Sequence, residues 1–286
     1  MLVELAIGDA YGAGFEYADP AIVRAENNLS RYIRHQLHAI PPGAYTDDTQ
    51  MSLAIAEALV SGEPWTPLNL ANRFVEVFRR DPRPGYARHF YDFLRTVRDG
   101  KQLMAEIVPV SDKSGAAMRA APLGVVADLA ELLERAEIQA KITHDTPLGV
   151  DAAKAAALAA HYCVYDLGAA SDVGRFVRQH VPGAWDRPWR GPVGSKGWMS
   201  VQAAITALAA GESLAEVLRI SIAFTGDVDT VATIALGAAA ASPRYARDLP
   251  AALYDGLEAG PYGQQYLRDL DQQLMSLKGP ADELQS

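Results

Sequence analysis

Apolar residues recur at every third or fourth position in one segment after another, and that spacing confines the chain to a helical architecture. In "MSLAIAEAL", Met51, Ala54, Ile55, Ala58 and Leu59 share one face. "LANRFVEVF" repeats the pattern with Leu70, Phe74, Val77 and Phe78, and "VADLAELLERAEIQAKI" with Val126, Leu129, Leu133 and Ala136. "DAAKAAALAAHYCVYDL" is alanine-rich and favours helix, and "WMSVQAAITALAAG" reads as a helix closed by Gly211. Strict alternation over five or more residues is almost absent, so the expected fold is all-α. The many Ala, Gly and Ser positions suit close approach of helices in a compact bundle. Pro- and Gly-rich connections such as "IPPGAYTD", "RRDPRPGY" and "VPGAWDRPWRGPVG" are short, and no long linker divides the 286 residues. The expectation is one domain over 1–286, with a frayed C-terminal tail from about residue 278. Trp185, Trp189 and Trp198, which flank the Gly/Pro loop, read as packing residues.

Two acidic clusters interrupt this apolar pattern. "YTDDTQMSLAIAEAL" carries Thr46, Asp47, Asp48 and Thr49 at the mouth of a helix, and "FTGDVDTVATIALGAAAA" carries Asp227, Asp229 and Thr230 at the mouth of another. Hydroxyl and carboxylate side chains at a helix start accept hydrogen bonds from its free N–H groups, and acids there suit the helix dipole. Capping accounts for one or two residues in each cluster. Paired carboxylates with a threonine are also the hard oxygen donors that Mg²⁺, Mn²⁺ or Ca²⁺ prefers. If the two helix starts meet, the four carboxylates repel one another unless cations intervene. Spacing alone leaves capping and a metal site both open. The absence of His and Cys from both clusters disfavours zinc.

Other segments carry weaker signals. "GDAYGAGFE" places Asp9 and Glu16 around three glycines, and Glu16 is either an acid/base group or a solvated loop carboxylate. Ser114, Gly115 and Ala116 in "SDKSGAAMRAAPLG" form either a phosphate cradle of N–H groups or a plain loop-to-helix junction that Pro122 keeps short. Arg119 is placed to pair with a phosphate or with one of the acids. His144 in "KITHDTPLG" reads as a ligand contact or a structural loop histidine, with Asp145 or Thr146 capping the next helix. Tyr86, after Gly85 in "RRDPRPGY", either covers a ligand or packs in the core.

Bulk properties limit the function classes. A net charge of −9 argues against a broad nucleic-acid or anionic-membrane surface, though not against a small phosphate-bearing ligand. One cysteine, Cys163, permits no internal disulfide and fits a reducing compartment, where it serves as a small buried apolar group. No run is long and apolar enough to span a bilayer, and "MLVELAIGDAYGAG" lacks the layout of a secretory signal. A soluble, cytoplasmic protein is expected.

In order along the chain, "GDAYGAGFE", "YTDDTQMSLAIAEAL", "SGAAMRAAPLG", "THDTPLG" and "TGDVDTVATIALGA" together resemble the ADP-ribosylglycohydrolase family. That family includes the dinitrogenase-reductase-activating glycohydrolase and the ADP-ribosylarginine hydrolases. The resemblance implies an all-α orthogonal bundle and a centre of two Mg²⁺ or Mn²⁺ ions. Its ligands would be Thr46, Asp47 and Asp48 from the first cluster and Asp227, Asp229 and Thr230 from the second. Glu16, Asp48 and Asp227 would carry the catalysis. Gly85, Tyr86, Ser114, Gly115, Ala116 and His144 would touch ADP-ribose or an ADP-ribosylated protein. Two departures stand out: Thr225 occupies a position where the family usually has glycine, expected to reshape the pocket floor, and Ser114 stands where an asparagine is common. The implied reaction is hydrolysis of the bond between ADP-ribose and an acceptor side chain such as arginine or serine. The alternatives are a two-metal phosphohydrolase acting on a nucleotide or sugar phosphate, and a non-catalytic ADP-ribose-binding relative.

Overall fold

The computed structural model describes residues 1–279. The expected tail from about residue 278 therefore lies almost wholly outside the described residues. Fifteen α-helices run along the described chain: α1 (Leu2–Ala13), α2 (Pro20–Glu26), α3 (Asp47–Ser61), α4 (Pro67–Arg80), α5 (Arg88–Thr96), α6 (Gly100–Glu106), α7 (Gly115–Met118) and α8 (Leu129–Lys141) come first. They continue as α9 (Pro147–Val164), α10 (Val173–His180), α11 (Gly197–Ala210), α12 (Leu214–Ala223), α13 (Val228–Ala239), α14 (Ala251–Asp255) and α15 (Gln264–Ser276). No sheet forms among the described residues, so the all-α reading holds.

Helices α1 and α13 lie at the centre. Every residue of each is buried, as their apolar composition on all sides requires. They cross closely because Gly12 presents no side chain: a Cβ there would sit 2.4 Å from the Asp229 Cα. Helix α9, another largely buried element, packs against α13, α8 and α11. The hydrophobic core is one continuous cluster from Met1 to Leu274, with a small satellite of Ala116, Ala140, Val150 and Ala153.

Local signals account for most helix boundaries. Thr46, Thr66, Asp128 and Thr146 cap α3, α4, α8 and α9 by accepting backbone N–H bonds, and Gly62 ends α3 in the left-handed conformation. Thr146, not Asp145, is the cap of α9. Helix α11 stops at Gly211, and α7 is a single turn followed by a 3₁₀ segment over Ala121–Val125 that contains Pro122. The expected face of α8 is inward but incomplete: Val126, buried, precedes the helix, Leu129 and Leu133 pack partly buried against the core with Ala136, and Leu132, Gln139 and Ala140 are buried beside them. The polar Gln139 lies inside because it serves a buried arginine, a role apolar spacing does not register. Cys163 is buried, and so is Trp185; Trp189 and Trp198 meet edge to face, and all three pack against the core.

Three isolated antiparallel or parallel bridges, Val110 with His144, Lys113 with Lys196 and Val193 with Gly226, tie together the loops around one mouth of the bundle. No helix among the described residues is long and apolar enough to cross a membrane.

Candidate active site

The two acidic clusters meet. Asp47, Asp48, Asp227, Asp229 and Thr230 all line one cleft of about 470 Å³, and Glu16 joins them. Carboxylate oxygens of Glu16, Asp227 and Asp229 lie within 4.8 Å of one another. Across from them Asp48 reaches α13, its Oδ2 accepting from Thr233 Oγ1 at 3.4 Å.

Capping does not consume these acids. Thr46 supplies the side-chain cap of α3, and Asp227, at the cap position of α13, makes no side-chain cap bond. Thr46 itself faces the back of the cleft rather than its wall. It is 1% exposed, and its Oγ1 donates to Asp9 Oδ1 at 2.8 Å. Asp9 also accepts from the Thr46 and Thr49 N–H groups, each at 2.9 Å. A buried acid on α1 thus clamps the first turn of α3, which aims Asp47 and Asp48 into the cleft.

The loop before α13 is held as firmly. Val193 N donates to Thr225 O and Asp227 N donates to Val193 O, while Tyr17 N donates to Gly226 O at 2.9 Å. Thr225 and Gly226 both take positive φ, 65° and 91°. Thr225 does not line the cleft, so its effect is local backbone strain rather than a reshaped floor. Tyr17, also at positive φ, is half exposed at the cleft wall beside the acids.

Crowding shows in the titration of the acids. Burial, then the neighbouring charges of Asp9 and Glu16, holds Asp47 well above the usual carboxylate range. Burial, Asp9 and Asp47 do the same to Asp48, and burial, Glu16 and Asp48 to Asp229. Asp227 rises to about 6 through burial and Glu16, opposed by the hydroxyls of Ser200 and Ser114. No arginine or lysine pairs with these four aspartates among the described residues. An all-oxygen donor set whose own protein supplies no countercharge fits a hard divalent cation.

The same cleft is lined by Lys113, Ser114, Gly115, His144 and Arg119, and the Ser114 hydroxyl reaches Asp227. Arg119 does not pair with any acid. Its guanidinium lies over the Phe74 ring and donates to Gly115 O, Gln139 O, Gln139 Oε1 and Thr143 Oγ1. Burial lowers it to about 9, which leaves it cationic at neutral pH. Because Thr143 Oγ1 accepts from Arg119, its own proton is free for His144 Nδ1, 2.6 Å away. Burial, then Arg119, pulls His144 down to about 3. The histidine is therefore a neutral ring with its proton on Nε2, a fixed donor in the cleft. Ala116 lies off the cleft, in the satellite cluster, with its carbonyl accepting from Gln139.

Gly85 and Tyr86 line the cleft as well. Tyr86 is buried, its hydroxyl donating to Gln50 Oε1 at 2.7 Å, and its ring meets Phe78 edge to face. It both packs in the core and lines the cleft. Gln50 in turn donates to Val77 O and Asp81 O, tying loop 81–86 to α3. At Gly85, φ is +115° and an added Cβ would come 2.0 Å from Asp47 Oδ1. Asp9, His35, Gln50 and Tyr17 escaped sequence reasoning as site residues. Only Asp9, an acid in an otherwise apolar helix beginning, left a trace.

The whole described chain shares its family with known proteins. Residues 1–283 match the family model for ADP-ribosylglycohydrolase, and the chain belongs to that family. It is 26% identical over 182 residues to the ADP-ribosylhydrolase ARH3 of Homo sapiens, covering 54% of this chain and 46% of that protein. It is 26% identical over 197 residues to the ADP-ribosyl-dinitrogen reductase glycohydrolase of Rhodospirillum rubrum, covering 62% of each. An uncharacterized Archaeoglobus fulgidus protein is 30% identical over 165 residues, 55% of this chain and 52% of that one. The matches thus span about half the length of these relatives. A solved structure titled ADP-ribosylglycohydrolase-related protein complex superposes with a TM-score of 0.70 at 22% identity, covering 97% of this chain and 95% of that one, which establishes the shared fold.

Proposed function

We propose that this protein hydrolyses the glycosidic bond between ADP-ribose and an acceptor side chain, using two divalent cations, Mg²⁺ or Mn²⁺. The observation that carries this reading is that one cleft is lined both by carboxylates from two distant helix starts, with no arginine or lysine partner among the described residues, and by Lys113, His144 and the Ser114–Gly115 loop. A ligand with a polyhydroxylated sugar at one end and a diphosphate in the middle complements this mixed lining.

Asp47, Asp48, Asp227, Asp229 and Thr230 would hold the cations, which would supply positive charge against the carboxylates and polarise oxygen groups of the substrate, while Thr46, bonded to Asp9 behind the cleft, fixes the turn that presents Asp47 and Asp48. Glu16 stands beside Asp227 and Asp229 and, as general base, takes the proton of the attacking water. Asp48 and Asp227 place negative charge where the oxocarbenium character develops. His144 Nε2–H and the N–H groups of Ser114 and Gly115 bind phosphate or ribose oxygens, Lys113 adds a cation at the rim, and Gly85 with Tyr86 forms the flank of the sugar pocket. Ala116 backs this loop from the core.

The test is incubation of the chain with defined ADP-ribosyl-arginine, ADP-ribosyl-serine and other linkages, with each metal and with EDTA. Free ADP-ribose released only with metal supports the reading. Release of inorganic phosphate instead would point to phosphohydrolysis, and binding of ADP-ribose without turnover to a non-catalytic relative.

A further inference from the structure

Glu16 is the one carboxylate of the cation group that does not sit on a helix start, so nothing in helix geometry aims it. A buried histidine does. His35 is 5% exposed, and its Nε2 lies 2.8 Å from Glu16 Oε2. The other ring nitrogen settles which atom carries the proton. His35 Nδ1 faces the backbone N–H groups of Leu37 at 3.0 Å and His38 at 3.1 Å, both of which are donors. Nδ1 is therefore the acceptor, and the ring proton of the neutral form is on Nε2, donated to Glu16.

The segment that bears His35 is itself fixed. Tyr32 Oη donates to Leu253 O at 2.6 Å, and Ile33 packs against the end of α1 so tightly that a Cβ on Gly14 would lie 2.7 Å from the Ile33 carbonyl oxygen. The glycine lets the 32–38 segment close over the turn that presents Glu16. A carboxylate with one oxygen anchored by a buried donor loses the freedom to swing away from Asp227 and Asp229.

We infer that His35 is a positioning residue: it orients Glu16 toward the cation group by donating from Nε2, with its own ring locked by Leu37 and His38. This rests on the reading of the cleft given above. Two variants separate positioning from mere packing. His35→Gln places an amide N–H near the Nε2 position. His35→Asn keeps an acceptor for the Leu37 and His38 N–H groups but is too short to reach Glu16. Binding of Mn²⁺ alone is measured by titration calorimetry, and kcat and KM for ADP-ribose release are measured separately. The expected result is Mn²⁺ affinity and kcat reduced about tenfold or more in H35N, with KM within about twofold, and both recovered to within about threefold in H35Q. H35N binding Mn²⁺ as wild type does, or H35Q no better than H35N while both melt cooperatively, overturns the inference. A wild-type chain that binds Mn²⁺ without releasing ADP-ribose overturns the hydrolase reading but leaves the Mn²⁺ comparison to judge His35. A wild-type chain that binds no Mn²⁺ overturns both.

Discussion

Asp9 Oδ2 takes two hydrogen bonds from Thr49, one from its backbone N–H at 2.9 Å and one from its Oγ1 at 2.6 Å. With the two further bonds from Thr46, this joins α1 to the first turn of α3 through a carboxylate that water does not reach. Asp9→Ala strips an acceptor from two buried N–H groups and two hydroxyls and is expected to cost about 3 kcal/mol or more. Asp9→Asn keeps one oxygen and lets the Thr46 hydroxyl turn to accept, so its loss is expected near 1 kcal/mol, about that of one neutral hydrogen bond. Urea denaturation midpoints order the two variants. Equal losses would contradict the clamp.

Asp47→Ala and Asp229→Ala are expected to abolish ADP-ribose release while the far-ultraviolet circular dichroism stays helical. The conservative Asp229→Asn carries a second expectation of opposite sign. It removes one charge from a crowded, buried group, so the metal-free protein is expected to melt higher than wild type, and to gain less from added metal. Turnover at the wild-type level in either alanine variant would refute the ligand assignment.

The pH dependence of stability has a definite sign. Asp47, Asp48, Asp227 and Asp229 have folded-state pKa values above their unfolded ones, so the folded chain holds more protons. Their stabilising contribution is complete below the unfolded carboxylate range and is lost as pH rises, through about 6 for Asp227, with Asp47, Asp48 and Asp229 raised in the same direction by burial and their neighbouring acids. His144, lowered to about 3, and His161, lowered to about 4, act in the opposite sense, but only below the ordinary histidine range. Between roughly pH 7.5 and 8.5, past the histidine range, the aspartates act in the same sense as the Met1 amino group, which Glu4 and Asp271 raise against the effect of burial, at about 1.4 kcal/mol per pH unit for each proton still held by the folded state. In EDTA the melting temperature is expected to fall across that window, and saturating Mg²⁺ or Mn²⁺ to flatten the slope. Differential scanning calorimetry at four or five pH values decides it. A metal-free slope of zero or positive sign would count against the crowded site.

Gly85→Ala adds one methyl where it meets Asp47 Oδ1 and the Thr46 Cβ, at a backbone angle L residues avoid. The variant is expected to weaken Mn²⁺ binding about tenfold with a stability loss of about 1–3 kcal/mol from the strained backbone. Calorimetric titration and a thermal melt read the two effects separately. Unchanged Mn²⁺ affinity would mean that Asp47 does not depend on the Gly85 contact.

Helix identity was legible wherever apolar spacing and a cap coincided, as in α3 with Thr46 and α9 with Thr146. It is less so in α8, where the buried Gln139 widens the inner face beyond the residues that apolar spacing picks out. The acidic clusters were readable because carboxylates and hydroxyls at the mouths of apolar helices are unusual. Their meeting depends on the α1–α13 crossing at Gly12, which no local pattern encodes. His35 and Gln50 act through side-chain bonds from irregular backbone or across helices, and neither carries a spacing signal. For Arg119, sequence offers a phosphate or one of the acids as partner. Its neutral acceptors come instead from α7, α8 and the loop after α8, and burial, not sequence, selects them.

The close contact of α1 with α13 also dictates a timetable for biosynthesis. Helix α1 is translated more than 200 residues before α13, yet every one of its residues is buried, and the backbone that lies against Gly12 belongs to α13. A nascent chain stalled before Val228 therefore has α1 without its main cover and only the first of the two acidic clusters in full.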